Sequence, residues 1–195
     1  MAGVVELYEP VQRGLCCAAP PAQIEALIAL ARFLHARGMT PSYGPGDHGN
    51  VSCRTPGGCL ISARETSKAT MRAEDVIEVL GYERTPSGVR VPYAGARPPS
   101  TDALVHLMIY ELRPDVAAVA HGHDEAVLRK AGPLSLPVTQ VSARSNSPAL
   151  VEEVRRLCRD HDYIVTRDHG FIALGATLSA AQELLARWQE RARAG

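Results

Sequence analysis

His121-Gly122-His123 closes the apolar run Val116 to His121 with two imidazoles two residues apart. Residues i and i+2 of a strand project from one face, so the rings converge, either on a metal ion or as a hydrogen-bonded pair at a strand end. Gly122 lets a ligand or another backbone come close, and Asp124 or Glu125 can orient a ring from behind. His169, in Arg167-Asp168-His169-Gly170 after the apolar segment Tyr163 to Thr166, is the best third donor, although a histidine before a turn glycine is often structural. Three neutral imidazoles leave coordination positions open on a divalent ion, as a catalytic site requires. His35 and His161 fall on helix surfaces or ends, His48 in a Gly/Pro loop, and His106 one turn after Asp102, where it packs or donates a hydrogen bond.

Asp102 is the candidate acid/base group. It follows Pro98-Pro99-Ser100-Thr101 at the start of a helix, a place where aspartate is also favoured by the helix dipole alone. Ser100 and Thr101 can cap that helix or hold an anion with the same hydroxyls. Gly49 and Asn50 can present a backbone N–H and an amide to an anion, or form an ordinary turn.

The elements that must position these groups are legible from periodicity. Ile24, Leu27, Ile28, Ala31 and Leu34 repeat at helical spacing between Pro21 and Gly38. The loop Thr40 to His48, rich in Pro and Gly, leads to strands predicted at about Asn50–Arg54 and Cys59–Ser62, joined by the turn Thr55-Pro56-Gly57-Gly58. Val76–Leu80 and Val89–Val91 make a second strand pair around Thr85-Pro86-Ser87-Gly88. Ser100 or Thr101 opens a helix carrying Leu104, Leu107, Met108 and Leu112, which Pro114 stops. Beyond the strand ending at His121 come a short helix Glu125–Ala131, a helix Val151–Cys158, strands Tyr163–Thr166 and Gly170–Leu174, and a closing helix Ser179–Arg193. Turn-joined strands interleaved with helices favour a mixed sheet covered by helices. The expectation is an α/β fold of three layers, α/β/α, in one domain over residues 1–195, with 1–20 as an N-terminal extension.

Composition narrows the partners. The 195 residues are 46% hydrophobic, and 21 basic side chains balance 21 acidic ones, which gives no support for a nucleic-acid or membrane partner. The N-terminus lacks a basic signal region, and no apolar run reaches the roughly 18 residues of a membrane span, so a cytoplasmic location is expected. Five cysteines, Cys16, Cys17, Cys53, Cys59 and Cys158, without C-x-x-C spacing read as reduced thiols.

In order, Gly49-Asn50-Val51-Ser52, Leu60-Ile61-Ser62, Lys68 to Val79 with Ala73-Glu74-Asp75, Pro99-Ser100-Thr101-Asp102 with His106, Arg113-Pro114-Asp115, His121-Gly122-His123 and His169-Gly170 with Gly175 resemble the class II aldolase/adducin family. The resemblance runs from about Ala22 to Ala192. It implies a central, mostly antiparallel sheet between helical layers, and His121, His123 and His169 as ligands of a divalent metal, usually zinc, with manganese, cobalt or iron as alternatives. It places Asp102 where the family's aldolases carry an acid/base glutamate, and Gly49, Asn50, Ser100 and Thr101 where they grip a substrate phosphate. It also implies a homotetramer with sites at subunit interfaces.

Three departures from the pattern stand out. Aspartate for glutamate shortens the reach by one methylene, about 1.5 Å. Ala63-Arg64-Glu65 replaces a small Ser/Thr-Gly loop, so Arg64 takes over anion binding through its fork while Glu65 must turn away. No tyrosine stands in Leu136 to Gln140, and the chain stops at Gly195 just after the last helix, where the family's sugar-phosphate aldolases carry a tail. The expected activity is a metal-dependent carbon–carbon lyase, an aldolase, acting on a small hydroxy-carbonyl or sugar-phosphate-like compound. The alternatives are a metal-dependent decarboxylase, an epimerase or dehydratase of the same family, and an adducin-like interaction module without catalysis.

Overall fold

Adjacent buried residues along single strands fall into two separate cores: Ile61 and Leu60, Val119 and Ala120, and Ile172 and Phe171 lie in opposite clusters. This is the period-two alternation of a sheet buried on both faces. In the computed structural model, which describes residues 7–86, 88–142 and 147–194, the strands are β1 (Leu7–Gly14), β2 (Asn50–Thr55), β3 (Gly58–Ser62), β4 (Val76–Val79), β5 (Glu83–Thr85), β6 (Gly88–Ala94), β7 (Ala118–Gly122), β8 (Tyr163–Thr166) and β9 (Gly170–Gly175). The helices are α1 (Pro21–Ala36), α2 (Ala103–Leu112), α3 (Glu125–Lys130), α4 (Pro148–Leu157) and α5 (Leu178–Ala194). One core packs α2 and α4 on the sheet and the other packs α1, α3 and α5, which gives the three layers expected.

The strands lie in the order β1-β6-β4-β3-β2-β7-β9-β8, with β5 folded onto β6. Among the described residues every pairing between these strands is antiparallel except β1 with β6. The predicted turn between β2 and β3 is present, with Thr55 opposite Gly58. The turn expected to join Val76–Leu80 to Val89–Val91 instead joins the short β5 to β6, with Thr85 opposite Gly88, and β4 pairs with β6 further along, Val79 opposite Tyr93. Ser87, placed in the turn between them, lies outside the described residues.

Two further expectations change. Residues 7–14 are an edge strand of the sheet rather than an extension apart from it; residues 1–6 lie outside the described part. Pro10 interrupts the pattern there, which an edge position tolerates because no ladder bond is needed on its outer side. The helix expected from Val151 starts at Pro148, because the Ser147 hydroxyl accepts the Leu150 N–H at 3.2 Å and proline suits the first helical position.

The topology brings the site's strands together. β7 sits between β2 and β9, so Asn50 and Ile172 flank His121 in register. Among the described residues no helix is long and apolar enough to cross a membrane.

Candidate metal centre

His121, at the end of β7, is buried, and its Nδ1 lies 2.8 Å from the Phe171 carbonyl on β9. A carbonyl only accepts, so Nδ1 carries the proton and Nε2 turns its lone pair outward. His123 follows the strand, and its backbone N–H donates to the Met39 carbonyl at 2.7 Å, fixing the chain as it leaves the sheet. His169 occupies the β8–β9 turn. There Asp168 takes a left-handed φ of 56°, the His169 N–H donates to Thr166 O at 3.1 Å, and the Gly170 N–H donates to Thr166 Oγ1 at 3.0 Å.

The three rings meet, with centroids 4.8 to 5.1 Å apart. One nitrogen from each lies within 4.8 Å of the others, and His121 Nε2 and His169 Nε2 are 3.2 Å apart. Two nitrogens bound to one tetrahedral zinc at about 2.0–2.1 Å would stand roughly 3.3 Å apart, so this spacing fits a shared ion. All three donors are imidazole nitrogens, which suits zinc and its transition-metal neighbours better than magnesium or calcium. Burial, followed by the neighbouring His121, His169 and His48 rings, pushes His123 down to about 3, and burial with His121 lowers His169. Both rings are therefore neutral at physiological pH, the form that ligates.

Asp102 stands at the N-cap position of α2, yet its side chain makes no capping hydrogen bond. Neither Ser100 nor Thr101 takes the N-cap place; the Ser100 hydroxyl instead accepts the Asp102 N–H at 3.3 Å. The Asp102 carboxylate turns toward β2, where Asn50 Nδ2 donates to Oδ2 at 2.7 Å. The β2–β7 register, Asn50 opposite His121, thus sets the carboxylate beside the histidines.

Gly49, Asn50, Arg64, Ser100, Thr101, Asp102 and the three histidines all line one cavity of about 190 Å³. A larger cavity of about 490 Å³, walled by Tyr8, Tyr82, Leu104, Met108 and Val151 among others, lies elsewhere and contains none of the histidines. The smaller cavity is the candidate site because the converging nitrogens are in it. Glu65 takes a φ of 55°, so the turn after β3 keeps a left-handed backbone without glycine, and Glu65 is exposed at the cavity wall.

Sequence reasoning missed Tyr43, Asp47, His48 and Lys68 as wall residues. His48, a weaker candidate on sequence grounds, stacks on His123 with centroids 4.7 Å apart, and the Tyr43 ring packs against His48 at 4.6 Å, tilted by 44°. Asp47 is a buried hub: it accepts from Ser42 Oγ at 2.5 Å, the Lys68 N–H at 2.6 Å and Ser67 Oγ at 3.3 Å. His35 Nδ1, expected on a helix surface, approaches the same carboxylate at 3.2 Å. Lys68 Nζ donates to the Asp47 and Thr66 carbonyls, and burial lowers its pKa to about 8 against the pull of Asp47. The hub ties the loop carrying Gly49 and Asn50 to the loop carrying Arg64. Nothing in the local spacing of these residues signals it.

Comparison with known proteins follows the same elements. Residues 25–194 match the family model described as Class II Aldolase and Adducin N-terminal domain. A methylthioribulose-1-phosphate dehydratase of Gluconacetobacter diazotrophicus is 38% identical over 104 residues, 53% of this chain and 45% of that protein. A 5-methylthioribulose-1-phosphate/5-deoxyribulose-1-phosphate aldolase of Escherichia coli O45:K1 is 27% identical over 169 residues, 79% of this chain and 74% of that one. The chain thus spans about half the length of the first of these relatives. The L-fuculose-1-phosphate aldolase of Thermus thermophilus shares the fold, with a TM-score of 0.68 over 88% of this chain and 92% of that one at 23% identity. Since the matched stretch contains all three converging histidines and Asp102, the chain belongs to the class II aldolase and adducin N-terminal domain family.

Proposed function

We propose that the chain is a divalent-metal lyase for a small hydroxy-carbonyl compound bearing an anionic group, of the sugar-phosphate class. The observation that carries this reading is the convergence of three imidazole nitrogens within 4.8 Å in a cavity that Asp102 also lines. His121, His123 and His169 are the ligands, with zinc the preferred ion on donor chemistry. Bound there, the ion supplies Lewis acidity toward a carbonyl and its neighbouring hydroxyl.

The chain's own groups do the rest. Asp102, oriented by the Asn50 amide, takes a proton from a substrate hydroxyl or carbon and returns it. Its short side chain requires the substrate to sit close to the start of α2. Arg64, Ser100, Thr101 and the Gly49–Asn50 turn bind the anionic group away from the reacting carbon. Aldol cleavage is the first reading. Dehydration is the second, because the 38% identical relative bears the name of a dehydratase. On the same reading the chain works as a homotetramer, which sedimentation of the purified chain tests.

Asp102→Asn preserves size and the metal ligands while removing the base. Turnover of a ketose phosphate should fall by about 10²–10⁴-fold with zinc content unchanged. Chelated protein that reacts as fast as zinc-loaded protein would end the metal reading. Product analysis divides the two reactions: cleavage releases an aldehyde fragment, whereas dehydration keeps every carbon and loses water.

A further inference from the structure

Tyr8 lies in β1, outside the 25–194 stretch that matches the family, yet it reaches two walls of the candidate site. Its hydroxyl donates to the Ser100 carbonyl at 3.3 Å. Its ring faces the Arg64 guanidinium, whose carbon is 5.9 Å from the ring centroid. Arg64 and Ser100 both line the 190 Å³ cavity.

The backbone of Arg64 is fixed: its N–H donates to Pro98 O at 3.0 Å, and its carbonyl accepts from Arg97 Nη2 at 2.6 Å. The head group is different. Arg64 Nε is buried and has no hydrogen-bond partner among the described residues. A buried guanidinium donor without a partner is costly, and an oxyanion entering the cavity relieves that cost through charge-assisted bonds. An aromatic face behind the guanidinium holds its plane without using any of its donors. Burial also pushes the Tyr8 phenol well above its ordinary range, so it stays a neutral donor.

We propose that Tyr8 is a positioning residue for substrate recognition: its ring sets the Arg64 guanidinium, so that Arg64 receives an oxyanion, phosphate or carboxylate, of the substrate. The proposal rests on the reading of Arg64 as an anion-binding residue. It also makes the N-terminal strand part of the active site.

The test is calorimetric titration of the zinc-loaded full chain with inorganic phosphate and, separately, with acetate. Tyr8→Phe keeps the ring, and because the Ser100 carbonyl still accepts from the Ala103 N–H at 3.1 Å, affinity should change by no more than about threefold. Tyr8→Leu removes the aromatic face and should weaken the better-bound anion roughly tenfold. Arg64→Gln should weaken it at least as much, and adding Tyr8→Leu to Arg64→Gln should then cost nothing further. If Tyr8→Leu does not fold, Tyr8→Met takes its place, with zinc stoichiometry reporting an intact histidine site.

If Arg64→Gln weakens binding but Tyr8→Leu does not, the role of Tyr8 is overturned and Arg64 stands. Equal losses from Tyr8→Leu with and without Arg64 show that Tyr8 acts through something else, and overturn it as well. Wild-type affinity in Arg64→Gln, or no saturable binding of either anion by the wild type, overturns both readings. Tighter binding of phosphate than of acetate identifies the phosphorylated class; the reverse identifies a carboxylate.

Discussion

His106 is drawn into the fold rather than into the cavity. It is 1% exposed, its Nδ1 lies 2.6 Å from Ser52 Oγ, and the same hydroxyl lies 2.7 Å from Tyr110 OH. Burial holds this imidazole neutral far below its ordinary range; Asp102 opposes the shift and His121 adds to it. In the unfolded chain the ring takes up a proton near pH 6.5. Its contribution to stability is therefore full above about pH 6.5 and is lost progressively as the pH falls below that, because only the unfolded state binds the proton. Urea unfolding of metal-free protein at about pH 7.5 and pH 5 should show a lower midpoint at the acid pH. His106→Gln should narrow the gap, and an unchanged gap would assign the acid sensitivity to other groups. At this scale the sequence was informative: a histidine one turn after Asp102, on the apolar helix of Leu104 and Met108, reads as a packed hydrogen-bonding residue. Its partner Ser52 on β2 was not legible, since it comes from packing a helix on a distant strand.

The strands around the site are packed so closely that glycine is a requirement at their ends. A Cβ on Gly170 would run into the Gly122 carbonyl and stand 3.1 Å from His121 Cε1 and 3.2 Å from His123 Cδ2. Gly49, at φ +80°, would place a Cβ 2.5 Å from the His121 carbonyl. Gly170→Ala should therefore cost about 1–3 kcal/mol of stability and displace both rings. A chelator competition should find zinc held at least roughly tenfold more weakly; unchanged affinity would show that the rings have room the packing denies. The value of Gly122 was readable from the His-x-His spacing, because a strand-end glycine between two candidate ligands permits close approach. The roles of Gly49 and Gly170 beside it depend on the β2-β7-β9 order, which periodicity does not encode. The same limit explains β1. Its residues Leu7–Gly14 lack clean alternation, and their partner β6 is some 80 positions away in parallel register. Hairpins such as β2–β3, by contrast, are written in their own turns. The start of α2 shows the opposite failure: sequence rules gave the cap to Ser100 or Thr101, whereas Asp102 holds the N-cap place and its carboxylate accepts from Asn50 of β2 instead of capping.

Across the whole molecule, the histidine cluster joins the end of β7 to a turn 48 residues later, between β8 and β9. An ion held there acts as a cross-link that exists only in the folded state. Binding to the native chain alone stabilises it by RT ln(1 + [L]/Kd), about 2.7 kcal/mol at a free concentration of 100 Kd. For a chain of this size, about 2–4 °C accompanies each kcal/mol, so zinc should raise the melting temperature by roughly 5–10 °C. The rise should be smaller to the extent that unfolded thiols and imidazoles also bind zinc, and the chain has five cysteines and seven histidines to do so. His169→Asn separates the two contributions. It removes one ligand at the turn and leaves the cysteines untouched, so most of the zinc-dependent rise should vanish while the metal-free melting temperature stays close to that of the wild type. Scanning calorimetry with and without zinc measures both. A full zinc shift in His169→Asn would place the stabilising ion elsewhere, for instance near the exposed Cys16, and would separate the thermal effect of the metal from the site that contains Asp102.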